Sequence, residues 1–347
     1  MRPAFRSGPD RDRLVGIALV LAAAGLFGSG PLFARVAYDA GMSPLPLLTW
    51  RYLFAALVGW LLVLGSSGGR RSMRRLRHTD LVALVALGLL FVGNAGAYTA
   101  ALETVPAGLV AIITYLYPAL VAVLSMRYAR RLEGRRPWAA LALSMAGVGL
   151  AVGGIPKGAD IPLVGLLLAL TCAICYAFWI VLSARLRGER PTRDGRVAVA
   201  TGPEDPRSPA RRPDALASSA IMSTTTALTA AVLVVLLGGD PAPAAVPSQA
   251  WLALVTFGTF SALAVVAFLR GTRRIGAARA ALVSTVEPVY TIVLATIVLG
   301  ESLAPIQVLG GVLVVVGVLL AESGGGRRGA PGQRLPVAPE AVDRATV

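Results

Sequence analysis

The sequence predicts an all-α integral membrane fold of about ten transmembrane helices, arranged as two inverted five-helix repeats. Three observations point to this. The chain is 56% hydrophobic and only 15% charged, with a mean hydropathy of +0.70; a soluble domain carries roughly 45–50% apolar and about 25% charged residues. Its apolar residues fall in runs of about 20, the length of a helix that crosses a bilayer. The two halves also carry similar short motifs in the same order.

The runs lie at approximately 14–36, 44–64, 80–102, 105–126, 137–153, 163–184, 216–237, 249–269, 277–299 and 305–321. Each is expected to be a helix, because a helix satisfies its own backbone hydrogen bonds in lipid. The first run follows Arg2, Arg6, Arg11 and Arg13 and continues to about Ala37. That is too long for the apolar region of a signal peptide, so it reads as an uncleaved span preceded by a polar segment, 1–13. The stretch 187–214 and the tail 322–347 are rich in Pro, Gly and charge. Both read as disordered, since they lack apolar residues to bury.

A net charge of +15 raises the question of nucleic acid. The basic residues, however, sit between apolar runs rather than along a polar surface. If the N-terminus is cytoplasmic, all but three of the 33 basic residues fall in cytoplasmic segments; the exceptions are Arg35, Arg51 and Lys157. The positive-inside rule predicts this asymmetry. It places both termini and the 187–214 linker in the cytoplasm and leaves no role for a nucleic-acid partner. One missed or invented span would scramble the pattern downstream.

The internal repeat is weak but ordered. Leu14-Val15-Gly16 opens the first half, 14–153, and Leu163-Val164-Gly165 opens the second, 163–321. Tyr115-Leu116-Tyr117-Pro118-Ala119 aligns with Thr285-Val286-Glu287-Pro288-Val289. Leu132-Glu133, Pro137 and Gly149 align with Gly300-Glu301, Pro305 and Gly317. Five spans per half force the second copy to enter the membrane in the opposite orientation. Inverted repeats are typical of secondary transporters, whose substrate site lies near the midplane where the halves meet.

Several side chains are candidates for that site. Glu287 lies about ten residues, hence about 15 Å, into the ninth run. A charge at that depth costs roughly 2.5–3.5 kcal/mol on insertion scales. It is either a substrate or proton site or a neutral packing residue, and an intramembrane ionisable group reads first as functional. Tyr117 is its repeat partner, and each residue precedes a proline. A helical proline frees the carbonyl four residues earlier, here those of Thr114 and Ser284. The two kinks either line a polar pathway or serve packing alone.

Asn94 and Tyr98 share one helix face; the amide either binds substrate or bonds a neighbouring helix. Tyr290 lies one turn from Glu287. Tyr176 and Trp179 either line the cavity or pack. Arg51 either pairs with an anionic substrate group or snorkels to the headgroups, and snorkelling is the preferred reading. Arg35 reads as interfacial, and Glu103 and Glu301 as capping or gating residues at span ends. Cys172 and Cys175 form an apolar C-x-x-C with no second ligand pair, whereas zinc needs four ligands. His78 lies in a loop. No G-x-x-x-x-G-K-[ST], H-E-x-x-H or G-x-S-x-G motif occurs. No cofactor, metal or catalytic set is therefore expected, and the chain does not read as an enzyme.

Residues 14–321 resemble the EamA family of the drug/metabolite transporter superfamily. The carriers are Phe27-Gly28-Ser29, the run Gly41 to Leu57 with Arg51-Tyr52 inside it, Tyr115-Leu116-Tyr117-Pro118, Gly276-Ala277-Ala278-Arg279-Ala280, Glu287-Pro288-Val289 and Leu299-Gly300-Glu301. Two features depart from that pattern: Leu132-Glu133-Gly134 stands where Gly-Glu is usual, and the loop between the halves is long. The resemblance implies ten helices, both termini inside, and export of small metabolites, amino acids or drugs across a bacterial inner (plasma) membrane. Alternating access, with proton coupling through Glu287 as an option, is the expected mechanism. The expected partners are a small-molecule substrate, the lipid bilayer and protons, with a homo-oligomer compatible with the sequence. The reading from a different class is a non-transporting membrane scaffold or lipid-handling protein. A polar cavity at the repeat interface favours transport, and a dry interface favours the scaffold.

Overall fold

The computed structural model of the chain describes residues 9–102, 104–105, 107–151, 162–189, 213–299 and 304–323. Glu103, Lys157, Gly300, Glu301, most of the 187–214 linker and most of the tail lie outside the described residues. Helices account for almost all of what is described, and no strand occurs among those residues.

The helices are α1 (Pro9–Gly28), α2 (Gly30–Asp39), α3 (Pro44–Gly65), α4 (Ser67–Arg74), α5 (His78–Leu102), α6 (Ala107–Thr114), α7 (Tyr117–Tyr128), α8 (Arg135–Ala151), α9 (Leu163–Leu186), α10 (Ala215–Leu236), α11 (Trp251–Ile275), α12 (Ala277–Val283), α13 (Glu287–Leu299) and α14 (Pro305–Ser323). Among the described residues, eight helical stretches are long and apolar enough to cross a membrane, and Pro305–Ala321 is a shorter apolar helix. With α8, which packs along α14, they account for the ten expected runs. Many outward side chains are large and apolar, among them Leu163, Leu236, Leu252 and Ile297. That much exposed apolar surface suits lipid rather than water.

Among the described residues, three runs are broken. α6 gives way to α7 at Tyr115–Leu116, and α12 to α13 through a 3-10 turn at Ser284–Val286. Pro118 and Pro288 account for these two breaks. A proline lacks the N–H and clashes with the carbonyl one turn back, but it is tolerated in the first turn of a new segment. The third break, at Ser29 between α1 and α2, divides the first run where the sequence reads as one continuous span. Its sequence signal is Gly30-Pro31.

The packing has the symmetry of an exchanged pair of halves. The extensive contacts are α8 with α14, α3 with α10, α1 with α11, α5 with α9, α3 with α11 and α5 with α10. Replacing each first-half helix by its second-half counterpart returns the same set. α8·α14 and α3·α10 map onto themselves, α1·α11 maps onto α9·α5, and α3·α11 onto α10·α5. This is the contact pattern of two related five-helix units facing one another.

Small residues let these helices approach closely. A Cβ added at Gly317 would lie 2.3 Å from the Ser144 Oγ, and one at Gly59 would lie 3.0 Å from the Ala220 Cα. Cross-helix hydrogen bonds reinforce the contact: Trp60 Nε1 donates to Thr224 Oγ1 at 3.0 Å, and Thr226 Oγ1 to the Gly88 carbonyl at 3.2 Å.

At the arginine-rich end, Glu189 joins three elements. Its carboxylate accepts the Arg130 backbone N–H at 2.8 Å and the Ala277 N–H at 3.0 and 3.2 Å. Ala277 begins α12 just after Gly276, whose φ of +89° favours glycine. Replacing Glu189 by Ala strands both N–H groups, and each buried unpaired donor costs about 1–3 kcal/mol. Glu189→Ala is therefore expected to lower thermal stability by that order, while Glu189→Gln, which keeps an acceptor oxygen, recovers part of it. Equal melting temperatures for wild type and Glu189→Ala would remove the contact from the list of stabilising ones.

Candidate functional site

Residues from both halves converge around the two proline breaks. The first half supplies Arg51 from α3, Asn94 and Tyr98 from α5, and Thr114, Tyr115 and Tyr117 at the α6–α7 break. The second half supplies Cys172, Tyr176 and Trp179 from α9, and Ser284 and Glu287 at the α12–α13 break. Contacts of α7 with α12 and with α9 bring the two breaks together.

Glu287 lies deep in the bundle, yet part of its surface stays accessible. Titratable side chains within electrostatic reach of it include Arg51, Tyr98, Tyr115, Tyr117 and Tyr176. Tyr98, Tyr115, Tyr176 and Arg51 are likewise partly accessible, whereas Tyr117 is fully buried. The aromatic rings form a continuous wall. Tyr117 and Tyr176 meet edge-on with centroids 4.6 Å apart, Tyr115 lies 6.1 Å from Tyr117, and Tyr176 stacks on Trp179 at 5.9 Å. Several polar atoms in this region have no hydrogen-bond partner among the described residues: the Tyr52 and Tyr117 hydroxyls and the Trp179 Nε1. The Tyr117 and Ser284 hydroxyls are neighbours, but no hydrogen bond of normal geometry joins them.

Arg51 does not snorkel. Its Nε donates to the Ser261 Oγ at 2.8 Å, and its guanidinium carbon lies 3.8 Å from the Phe257 ring centroid and 4.9 Å from that of Tyr52. The inner hydroxyl and two aromatic faces replace the headgroups as its partners, an arrangement that guanidinium–ring attraction favours. The preferred reading of the sequence is corrected on this point.

Asn94 spans two helices. Its Nδ2 donates to the Cys172 carbonyl at 3.0 Å and lies 3.1 Å from the Cys172 Sγ, while the Thr114 Oγ1 lies 3.7 Å from the same sulfur. Cys172, read from sequence only as half of an inert C-x-x-C, is thus the point where α5, α6 and α9 meet. Both cysteines are free thiols, and no cluster of three His, Cys, Asp or Glu side chains occurs among the described residues. The Ser284 hydroxyl bonds the Ala280 carbonyl of its own helix at 2.9 Å.

Tyr290 stands apart from the cluster. It is 44% exposed, and its ring lies against Gly25 and Gly28 of α1. The α1–α2 break meets the Glu287 turn nearby: the Thr291 hydroxyl lies 2.8 Å from the Gly28 carbonyl and 3.1 Å from the Glu287 carbonyl. The first span is therefore tied to the turn that carries the acid. Tyr115 joins the cluster although its sequence context does not mark it as a site residue. Its only signal was membership of the Tyr115-Leu116-Tyr117-Pro118 repeat.

Comparison with known proteins agrees with this architecture. A solved structure described as "Crystal structure of protein" is 19% identical, with a TM-score of 0.65 over 90% of this chain and 97% of that one. At that identity the likeness concerns the fold alone. No curated protein matches the sequence. The EamA-like transporter family matches residues 14–153 and 212–322. This multi-pass membrane protein, whose paired halves meet around two broken helices, therefore belongs to the EamA-like transporter family.

Proposed function

We propose that the protein is a secondary transporter that exports small polar metabolites, amino acids or drugs by alternating access, with Glu287 as the central binding and proton-exchanging group. The observation that carries this reading is a deep, partly accessible carboxylate among tyrosines drawn from both halves, beside buried donors that lack partners. Buried polar groups are nearly always hydrogen-bonded, so unmatched donors mark places for a polar guest or water. Glu287 offers a negative charge and Arg51 a positive one within the same electrostatic neighbourhood. An amino-acid-like zwitterion would match both, with its apolar part against the aromatic wall. Because the site takes residues from each half, rocking one half against the other would open it to alternate sides.

The test is uptake by proteoliposomes of a mixed pool of amino acids and small metabolites, with and without an imposed pH gradient. Saturable, gradient-driven flux of a member of the pool is expected. Absence of flux for every pool member, with correctly folded protein, would count against the proposal. The same proposal places both termini in the cytoplasm of a bacterial inner membrane, following the arginine distribution. Single cysteines introduced as Lys157→Cys and Gly202→Cys should therefore label oppositely from outside intact cells, the first readily and the second not at all. The reverse pattern would invert the topology.

A further inference from the structure

A second constellation lies away from Glu287, at the end of the bundle where α9 and α11 finish and α1 and α10 begin. A cavity of about 80 Å³ is lined there by Arg187, Asp214, Arg270, Arg273 and Arg274, among others. The three arginines of α11 recur at three- and four-residue spacing, so they project from one face. Arg187 follows the last turn of α9 and is only 5% exposed. Its Nε and Nη1 have no hydrogen-bond partner among the described residues.

Its neighbours are better provided for. The Arg274 Nη1 donates to the Arg270 carbonyl at 3.0 Å, and the Arg274 Nε, though without a hydrogen-bond partner among the described residues, is ion-paired with the Asp12 carboxylate at 3.5 Å. The Asp214 carboxylate accepts the Leu216 N–H at 3.3 Å and so caps α10, while the Asp214 N–H donates to the Ser72 Oγ at 3.1 Å. The lining thus holds four guanidinium groups against one carboxylate, and that carboxylate is engaged. The 22-residue helix α10 opens at the cavity, adding the positive end of its dipole.

Burial and the facing Arg273 lower the Arg187 guanidinium to about 9, with Asp214 and Glu189 acting the other way; it stays charged at neutral pH. Two buried guanidinium donors without hydrogen-bond partners are costly until an acceptor arrives. The planar guanidinium fork matches phosphate oxygens. The cavity is well below the roughly 300–1,000 Å³ of a pocket for a whole small molecule, so it suits one compact anionic group. Basic pockets between spans at such a membrane boundary are suited to anionic headgroups.

We propose that this arginine cavity binds a phosphate group, presented either by an anionic phospholipid headgroup or as free phosphate. The site is separate from Glu287 and does not depend on the transport reading. The test uses the full-length protein in neutral detergent, monitored by thermal unfolding and by native mass spectrometry. The probes are dioleoyl phosphatidylglycerol, dioleoyl phosphatidylcholine and inorganic phosphate.

Wild type is expected to be stabilised by phosphatidylglycerol, by inorganic phosphate, or by both, over phosphatidylcholine. Arg187→Gln and Arg273→Gln should each weaken that apparent affinity by about tenfold, the order of one charge-assisted hydrogen bond. Arg71→Gln, outside the lining, should not. Stabilisation by the lipid alone assigns the cavity to a headgroup, and stabilisation by inorganic phosphate assigns it to a free anion. Should Arg187→Gln fail to fold, the exposed Arg273 still provides the readout. Equal response to phosphatidylcholine, or full response in Arg273→Gln, would overturn the proposal.

Discussion

Glu287→Gln is expected to insert and fold like the wild type, yet to lose about tenfold to a hundredfold of its flux, the order of one charged hydrogen bond to the substrate. The substitution keeps the size of the side chain and a hydrogen-bonding end, and it leaves Pro288 and the 3-10 turn untouched. It removes only the charge and the exchangeable proton. The flux that remains should no longer respond to an imposed pH gradient. Tyr176→Phe, which deletes one hydroxyl from the wall around Glu287, should reduce flux less and leave the gradient response in place. Proteoliposome uptake at matched protein density decides the matter. Wild-type flux and gradient dependence in Glu287→Gln would reduce the carboxylate to a packing residue, and the central-site assignment would fall with it.

Gly310→Leu is expected to disrupt the seam between α8 and α14. A Cβ at Gly310 would lie 2.3 Å from the Ala151 nitrogen and 2.5 Å from the Gly147 carbonyl oxygen. Both are backbone atoms, so no side chain can swing away to make room. Gly147 is equally confined, its added Cβ meeting the Gly310 carbonyl and the Val314 nitrogen at 2.7 Å. Overpacking typically costs about 1–3 kcal/mol. Gly310→Ala should approach that range, and Gly310→Leu should exceed it and separate the two helices. Gly149, two residues from Gly147, has open space where a Cβ would stand. Gly149→Ala should therefore be neutral or slightly stabilising, because Ala is the better helix former. Thermal unfolding of the three variants in one detergent distinguishes them; indistinguishable melting temperatures for Gly310→Ala and Gly149→Ala would show that the seam is not tightly packed.

Gly149 also shows where sequence reasoning stops. It was singled out as the repeat partner of Gly317, yet the structure sets Gly317 against Ser144 and gives the tight contact near Gly149 to Gly147 instead. A repeat alignment records descent and spacing, but a two-residue shift on a helix turns a side chain by more than half a turn. Arg51 is a similar case. Its position in the second span was legible, but its direction was not, because the choice between headgroups and the Ser261–Phe257 site depends on which helix stands beside it. Tyr115 and Tyr176 join the Glu287 neighbourhood for the same reason: α6, α7 and α9 happen to meet there.

What the sequence determined by itself was the set of properties that vary along one dimension. Hydropathy over some 20 residues gave the spans, and Pro118 and Pro288 marked two of the three helix breaks among the described residues. These follow from each segment's own partition into lipid and its own backbone hydrogen bonds, so no knowledge of neighbours is needed. Tertiary structure alone decided which helix faces which, which way Arg51 points, that Asn94 and Thr114 converge on Cys172, and that Arg187 closes a cavity with the arginines of α11. Those outcomes depend on contacts between segments far apart in sequence, such as the Asn94–Cys172 hydrogen bond across 78 residues and the Arg51–Ser261 hydrogen bond across 210. The physical reason is that, in lipid, helices associate through close packing and hydrogen bonds rather than hydrophobicity, and the fit between two surfaces is written in neither sequence segment alone.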